Sequence, residues 1–412
     1  MSDVLAPLSL LKSSLFAPLF ISRVVSSASV GFGQLALAWG VMGMGYGPGG
    51  LSLVLACNAF PALLLVGGGV IGDRFRRHQV LAAAELLACA SWSAIAVTFL
   101  AGRAPLPLLC LLAAAGGTAT AIFLPALRGI TADLLGSVER AAGNALLTQA
   151  QAVGLLVGLI CSGAVVTSLG PAWAAAVRGA LCGISALLLG RLTTHKVKRI
   201  RQSVLSEMRE GWKAFGLLSW VWIVTLEWTV INTAVVCFVK IAGPVYMAHK
   251  PEGAWAWGMI SACDPLGALV GALLAARWRP THLIWALVLL PSAASLPMFF
   301  LANEATWLLI ALGVFISGAF QAIYGVLLVT VLQSRLRVEV LARVNSWNLV
   351  TGYCLMPVAV LAAGPIARHV GPQALSFGSC LAVVAATLSV LTILLVRPRM
   401  ARVETTPEAV LV

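Results

Sequence analysis

Uncharged stretches about twenty residues long recur from one end of this 412-residue chain to the other. Coiled as a helix, a stretch of that length crosses the ~30 Å hydrocarbon core of a bilayer. Backbone N–H and C=O groups meet no water there, so such a segment must satisfy them internally as an α-helix, or within a closed barrel. Barrel strands would read as alternating segments of ~10 residues, whereas these runs are continuous and longer. The fold class that follows is an all-α membrane protein. The competing reading, a large soluble protein with several buried helices, fails on the length and recurrence of these runs, and composition agrees: only 10% of residues are charged and 60% are apolar, with a mean hydropathy of +0.98. A water-facing surface needs far more charge than that.

The runs fall at 14–42, 50–72, 80–101, 106–127, 143–167 and 172–190, then at 220–246, 254–276, 282–301, 306–332, 346–366 and 373–396. This predicts twelve transmembrane helices in two pseudo-symmetric six-helix bundles. The N-terminal bundle is 1–190, the polar linker 191–218, the C-terminal bundle 219–396 and the tail 397–412. The first run is long enough to stay in the membrane as a signal anchor. The linker is basic and helix-permissive, which suits a segment lying on an anionic lipid surface.

Net charge is +13. In a soluble chain that would suggest nucleic acid, but the positions of the basic residues exclude it. With the N-terminus inside, the outer loops hold only Arg103, Lys250 and Arg368, and Arg23, Arg178 and Lys240 fall within runs. All other Lys and Arg lie in the inner loops, the linker and the tails, the bias that orients inner-membrane proteins. Both termini are therefore expected in the cytoplasm. The nine cysteines all sit in apolar runs, without a CxxC, and read as small packing residues rather than disulfides or metal ligands.

Short echoes link the halves. Gly72-Asp-Arg-Phe-Arg76 follows the second run and Ala275-Ala-Arg-Trp-Arg279 the eighth; Glu139 and Asn144 are matched by Glu339 and Asn345. Such echoes suit a duplicated bundle.

The stretch Gly69-Val-Ile-Gly-Asp-Arg-Phe-Arg-Arg-His78 resembles the major facilitator signature G-x-L-A-D-R-x-G-R-K. Gly69, Asp73, Arg74 and Arg77 match it; Gly72 replaces Ala and Arg76 replaces the second Gly. PALRGITADLL with AAGNALL, and TVLQSRLRVEVLARVNSW with LAAGPIARHVG, are similar to the bacterial drug- and metabolite-efflux branch of that superfamily, and the resemblance covers nearly the whole chain. It implies a secondary transporter working by alternating access. Gly69 and Gly72 permit close helix approach. Asp73 is placed to cap a facing helix while pairing with Arg74 or Arg77, as a breakable gate. Gly154, Gly158 and Gly163 resemble the antiporter signature of the fifth helix without its Pro, and the Arg expected within the fourth helix is absent.

Ionisable residues inside a membrane are costly, so each is a functional candidate. Asp264, Glu227 and Glu85 are the proton-coupling candidates. Arg23 and Glu85 are expected to form a structural ion pair, and Arg178, near a helix end, to snorkel. Polar stripes at helical spacing mark Gln34, Asn232, Lys240, Gln321 and Tyr324 as cavity candidates. In the family that the chain resembles, the first, fourth, seventh and tenth helices line the cavity.

The expected function is export of a small organic or amphipathic molecule, such as a drug, antibiotic or secondary metabolite, coupled to protons. The expected partners are that solute, protons and membrane lipids, for a monomer without nucleic acid. Import or uniport on the same fold is the alternative. A membrane-embedded lipid or isoprenoid enzyme would need an Asp-rich metal cluster or paired histidines, but the five histidines are scattered and no DDxxD occurs. No phosphate-binding GxxxxGK[ST] loop is present, so no catalytic residue, cofactor or metal is expected.

Overall fold

The computed structural model describes residues 10–13, 16–65, 76–136, 139–192, 219–278, 280, 282–335, 344, 351–352 and 354–396. Among them the chain is helical throughout. The helices are α1 (Phe16–Gly43), α2 (Gly47–Leu65), α3 (Arg77–Leu100), α4 (Leu106–Leu134), α5 (Arg140–Ser168) and α6 (Pro171–Gly190). In the second half come α7 (Ser219–Cys237) and α8 (Gly253–Ala275). The next helix, α9 (Leu283–Leu289), is carried on by a 3-10 turn Pro291–Ala294 and a segment Ser295–Ala302. Last are α10 (Trp307–Arg335), α11 (Met356–Val370) and α12 (Pro372–Val396). Ten helices are long and apolar enough to cross a membrane among the described residues, and α11 is a shorter apolar helix.

Helix ends follow local chemistry. Gly170 and Gly371 both take positive φ, 94° and 88°, and each is followed by a proline that opens the next helix. Proline is tolerated there because the first N–H groups of a helix have no internal partner. The same Gly-Pro break thus separates α5 from α6 and α11 from α12. Ahead of α4, Pro105 occupies the N-cap, with a further Pro in the first turn.

The chain divides into two compact units, Met1–Arg199 with Pro244–Ala262, and Ile200–Gly243 with Cys263–Val412. In the first, α1 packs on α5 and α6, α3 on α4 and α6, and α2 on α4. In the second, α7 packs on α11 and α12, and α9 on α10 and α12. Gly267 and Gly271 of α8 lie against the α10 backbone at Phe315 and Ala319. Each of these five neighbour pairs of the first unit recurs six helices later in the second.

The glycines of α5 explain one close seam, that with α1. A Cβ at Gly31 of α1 would sit 2.6 Å from the Gly158 backbone, and Cβ atoms at Gly154 and Gly158 would run into the carbonyls of Val24 and Ala28. Small residues let membrane helices approach to backbone contact, where dispersion supplies the attraction that lipid cannot. Gly163 meets Ala254 in the same unit. Without its Pro, the α5 motif is built as a packing face.

Candidate functional site: a charged cavity in the first unit

The first unit holds a half-open cavity of about 130 Å³ lined from α1, α3, α4, α5 and α6, about two turns or more from the ends of these helices. Its walls carry three charged side chains, Arg23, Glu85 and Arg178, beside Ser26, Thr120, Gln151 and Cys182. All three charged residues are buried. This differs from the sequence expectation in two ways. Arg23 does not form a salt bridge with Glu85: its Nη2 donates to Gln151 Oε1 on α5, while Glu85 Oε1 accepts from Ser185 Oγ at 3.2 Å. Arg178 does not snorkel: it turns inward and lies over the Trp92 ring with Cζ 3.7 Å from the centroid. Gly33 makes this possible, because any side chain there would occupy the place of Nη1. The inward turn was not legible from depth alone, since Arg178 starts only two turns from the end of α6. The missing signal was Trp92, which supplies a π face that repays part of the desolvation of the guanidinium.

The gate residues divide. Gly69, Gly72, Asp73 and Arg74 lie outside the described residues. Arg77, at the start of α3, is bound across to α4: its Nη1 donates to Asp133 Oδ1 and to the Gly129 carbonyl, each at 2.6 Å. Asp133 was not singled out from the sequence, because a lone acid near a helix end reads as ordinary loop chemistry.

In the second unit the stripe residues separate by face. Asn232 is buried and donates to the Gly352 carbonyl at 3.0 Å, and Thr229 donates to Thr351 at 3.1 Å, so these hold α7 to the segment preceding α11. Tyr324 is buried and stacked on Trp228, with centroids 4.8 Å apart. Gln321 is half-buried and donates to Ser317 at 2.7 Å; Gln34 is half-buried on α1, outside the lining of the charged cavity. Lys240 sits in a π-helical turn, Phe238–Ala242, that continues α7. Such single-turn insertions often mark functional positions.

The two remaining acids occupy different surroundings. Glu227 is buried, its carboxyl beside the Thr387 hydroxyl of α12. It borders an apolar groove of about 580 Å³ between α7 and α12. Asp264 lies on α8 just before Pro265, and its carboxylate covers Gly318 of α10: a Cβ there would come 3.0 Å from Oδ1. Within the second unit, Glu227 faces α12 and Asp264 faces α10. No group of three or more His, Cys, Asp or Glu side chains able to hold a metal occurs among the described residues.

A stack of apolar spans around buried charge, with no metal cluster among the described residues, defines a multi-pass membrane protein. The sequence matches the Major Facilitator Superfamily over residues 19–359, and the chain belongs to that superfamily. It is a transporter by family rather than an enzyme. Among curated proteins none matches. Among solved structures the fold is similar to the nucleoside transporter NupG, with TM-score 0.72, 12% identity, and 92% of this chain and 99% of that chain covered. It is similar to a POT family transporter in complex with 5-aminolevulinic acid, with TM-score 0.70, 13% identity, and 93% and 96% covered. It is also similar to a bacterial homologue of the human lysosomal transporter Spinster, with TM-score 0.61, 15% identity, and 94% and 97% covered. At these identities the likeness is one of fold.

Proposed function

We propose that the chain exports a small organic, amphipathic molecule across the cell membrane by alternating access, driven by protons. We further infer twelve spans in two bundles, with both termini and the 191–218 linker in the cytoplasm. The observation that carries the transport reading is the buried charge about two turns or more inside the helices in a chain of this superfamily. Ionised groups are held there at a cost of several kcal/mol each, which a purely structural bundle has no need to bear. Efflux rests on the resemblance of the loop motifs to the efflux branch. Import on the same fold is the second reading, since the fold alone does not set direction.

A susceptibility and metabolite panel in cells with and without the protein tests direction. Export predicts lower intracellular levels of at least one amphipathic solute when the protein is present. Higher levels of every affected solute would establish import instead. Topology is tested by labelling single cysteines placed at Lys250 and Arg199 in a background lacking the nine native ones. The two sites should report opposite faces, and the same face for both would end the twelve-span layout.

A further inference from the structure

We infer that the charged cavity of the first unit is a subsite for an anionic head group, of the carboxylate or phosphate class, carried by the transported solute. The inference rests on the transport reading and names its substrate class.

The argument begins with charge. Two guanidinium groups and one carboxylate line the same small space, so the walls carry one positive charge in excess when all three are ionised. Neither arginine is within salt-bridge distance of Glu85, whose charge acts on both through space while its carboxyl is engaged by Ser26, Cys182 and Ser185. Arg23 spends one donor on Gln151, a neutral acceptor. Arg178 is only 9% exposed, and its Nε has no hydrogen-bond partner. Trp92 covers one face of that guanidinium, and a π face accepts no in-plane N–H. A buried charge left this way is expensive unless something pairs with it. A guanidinium presents its free N–H groups in the fork geometry that fits a carboxylate or phosphate.

Size narrows the ligand. A cavity of about 130 Å³ has room for about four waters, taking ~30 Å³ each. That is enough for an anionic head with a short stem and too small for a whole amphipathic molecule. Glu85 then sets the balance. It lowers the field enough for the arginines to stay in the membrane, and it opposes the incoming anion, so that binding remains reversible. Removing its charge should strengthen binding, the opposite of what a purely structural ion cluster predicts.

The test uses the purified full-length protein in lipid nanodiscs, in a low-salt zwitterionic buffer. Benzoate, neutral benzyl alcohol and chloride are titrated, and thermal unfolding and tryptophan fluorescence are followed. Benzoate should stabilise the protein saturably and benzyl alcohol should not. Arg178→Gln and Arg23→Gln should weaken benzoate at least tenfold, as loss of a charge-assisted hydrogen bond does, while Glu85→Gln should strengthen it several-fold. If the arginine-to-glutamine variants do not accumulate, Arg178→Lys and Glu85→Gln carry the comparison. Unchanged benzoate affinity in the arginine variants, or unchanged or weaker affinity in Glu85→Gln, overturns the assignment. Saturable chloride binding without benzoate binding also overturns it, leaving an inorganic counter-ion site. Because the readout is binding, failure here leaves the transport reading standing. Binding without any transport would count against that reading alone.

Discussion

The Arg178 guanidinium lies over Trp92 with 3.7 Å between Cζ and the ring centroid, in a wall where both side chains are buried. A desolvated cation–π contact is worth about 2 kcal/mol. We predict that Trp92→Phe, which keeps a π face, is tolerated, whereas Trp92→Leu is destabilising. In a double-mutant cycle with Arg178→Gln, thermal unfolding in detergent should show coupling of roughly 1–2 kcal/mol. Additive effects would mean that the ring merely fills space.

Arg77 and Asp133 join α3 to α4 through a 2.6 Å salt bridge. A half-buried pair of this geometry, reinforced by the Gly129 carbonyl, is more than surface decoration. We expect Asp133→Asn and Arg77→Ala each to slow transport at unchanged protein level. The exchange Arg77→Asp with Asp133→Arg should recover part of the rate. If both single variants transport normally, the pair has no part in gating.

The α1–α5 seam makes a steric prediction. Gly31→Ala and Gly158→Ala each push a Cβ into facing backbone. Overpacking of this kind costs about 1–3 kcal/mol, read as a lower unfolding midpoint and lower accumulation. Gly378→Ala is the control, because a Cβ there meets nothing within 4 Å. Equal behaviour of all three variants would contradict the close approach.

The sequence readily disclosed which segments are helices and where most of them end, because the cost of an unsatisfied backbone in lipid leaves long apolar runs no other form. The ends that were misjudged are polar ones. Helix α4 continues to Leu134 and α5 begins at Arg140, so polar turns extend these helices beyond their apolar runs. The Gly170-Pro171 and Gly371-Pro372 breaks, the clearest echo between the halves, are visible in the sequence but are too short to weigh without knowing that both glycines take positive φ.

The site was less legible than the fold. Arg23 and Glu85 were recognisable as buried charge and Arg178 was not, and the partners of all three lie on other helices, far away in sequence. Gln151 and Ser185, the groups that engage Arg23 and Glu85, are ordinary polar residues in apolar runs. Helical spacing shows which residues share a face, not which helix that face meets. This is also why Thr229 and Asn232 lie on the Thr351–Gly352 side of α7 while Glu227 lies towards α12.

Proton-driven export is tested most directly in vesicles with an imposed pH gradient, using a solute found by the cellular panel and measuring uphill and downhill movement separately. Among the described residues, Asp264 and Glu227 are the acids of the second unit within helices, and a carboxyl that carries the coupling proton is needed only for uphill work. Asp264→Asn or Glu227→Gln should abolish accumulation against the solute gradient while sparing downhill exchange. Uphill transport retained in both variants would contradict coupling through either acid and leave Glu85, or movement down the solute's own gradient, as the drive.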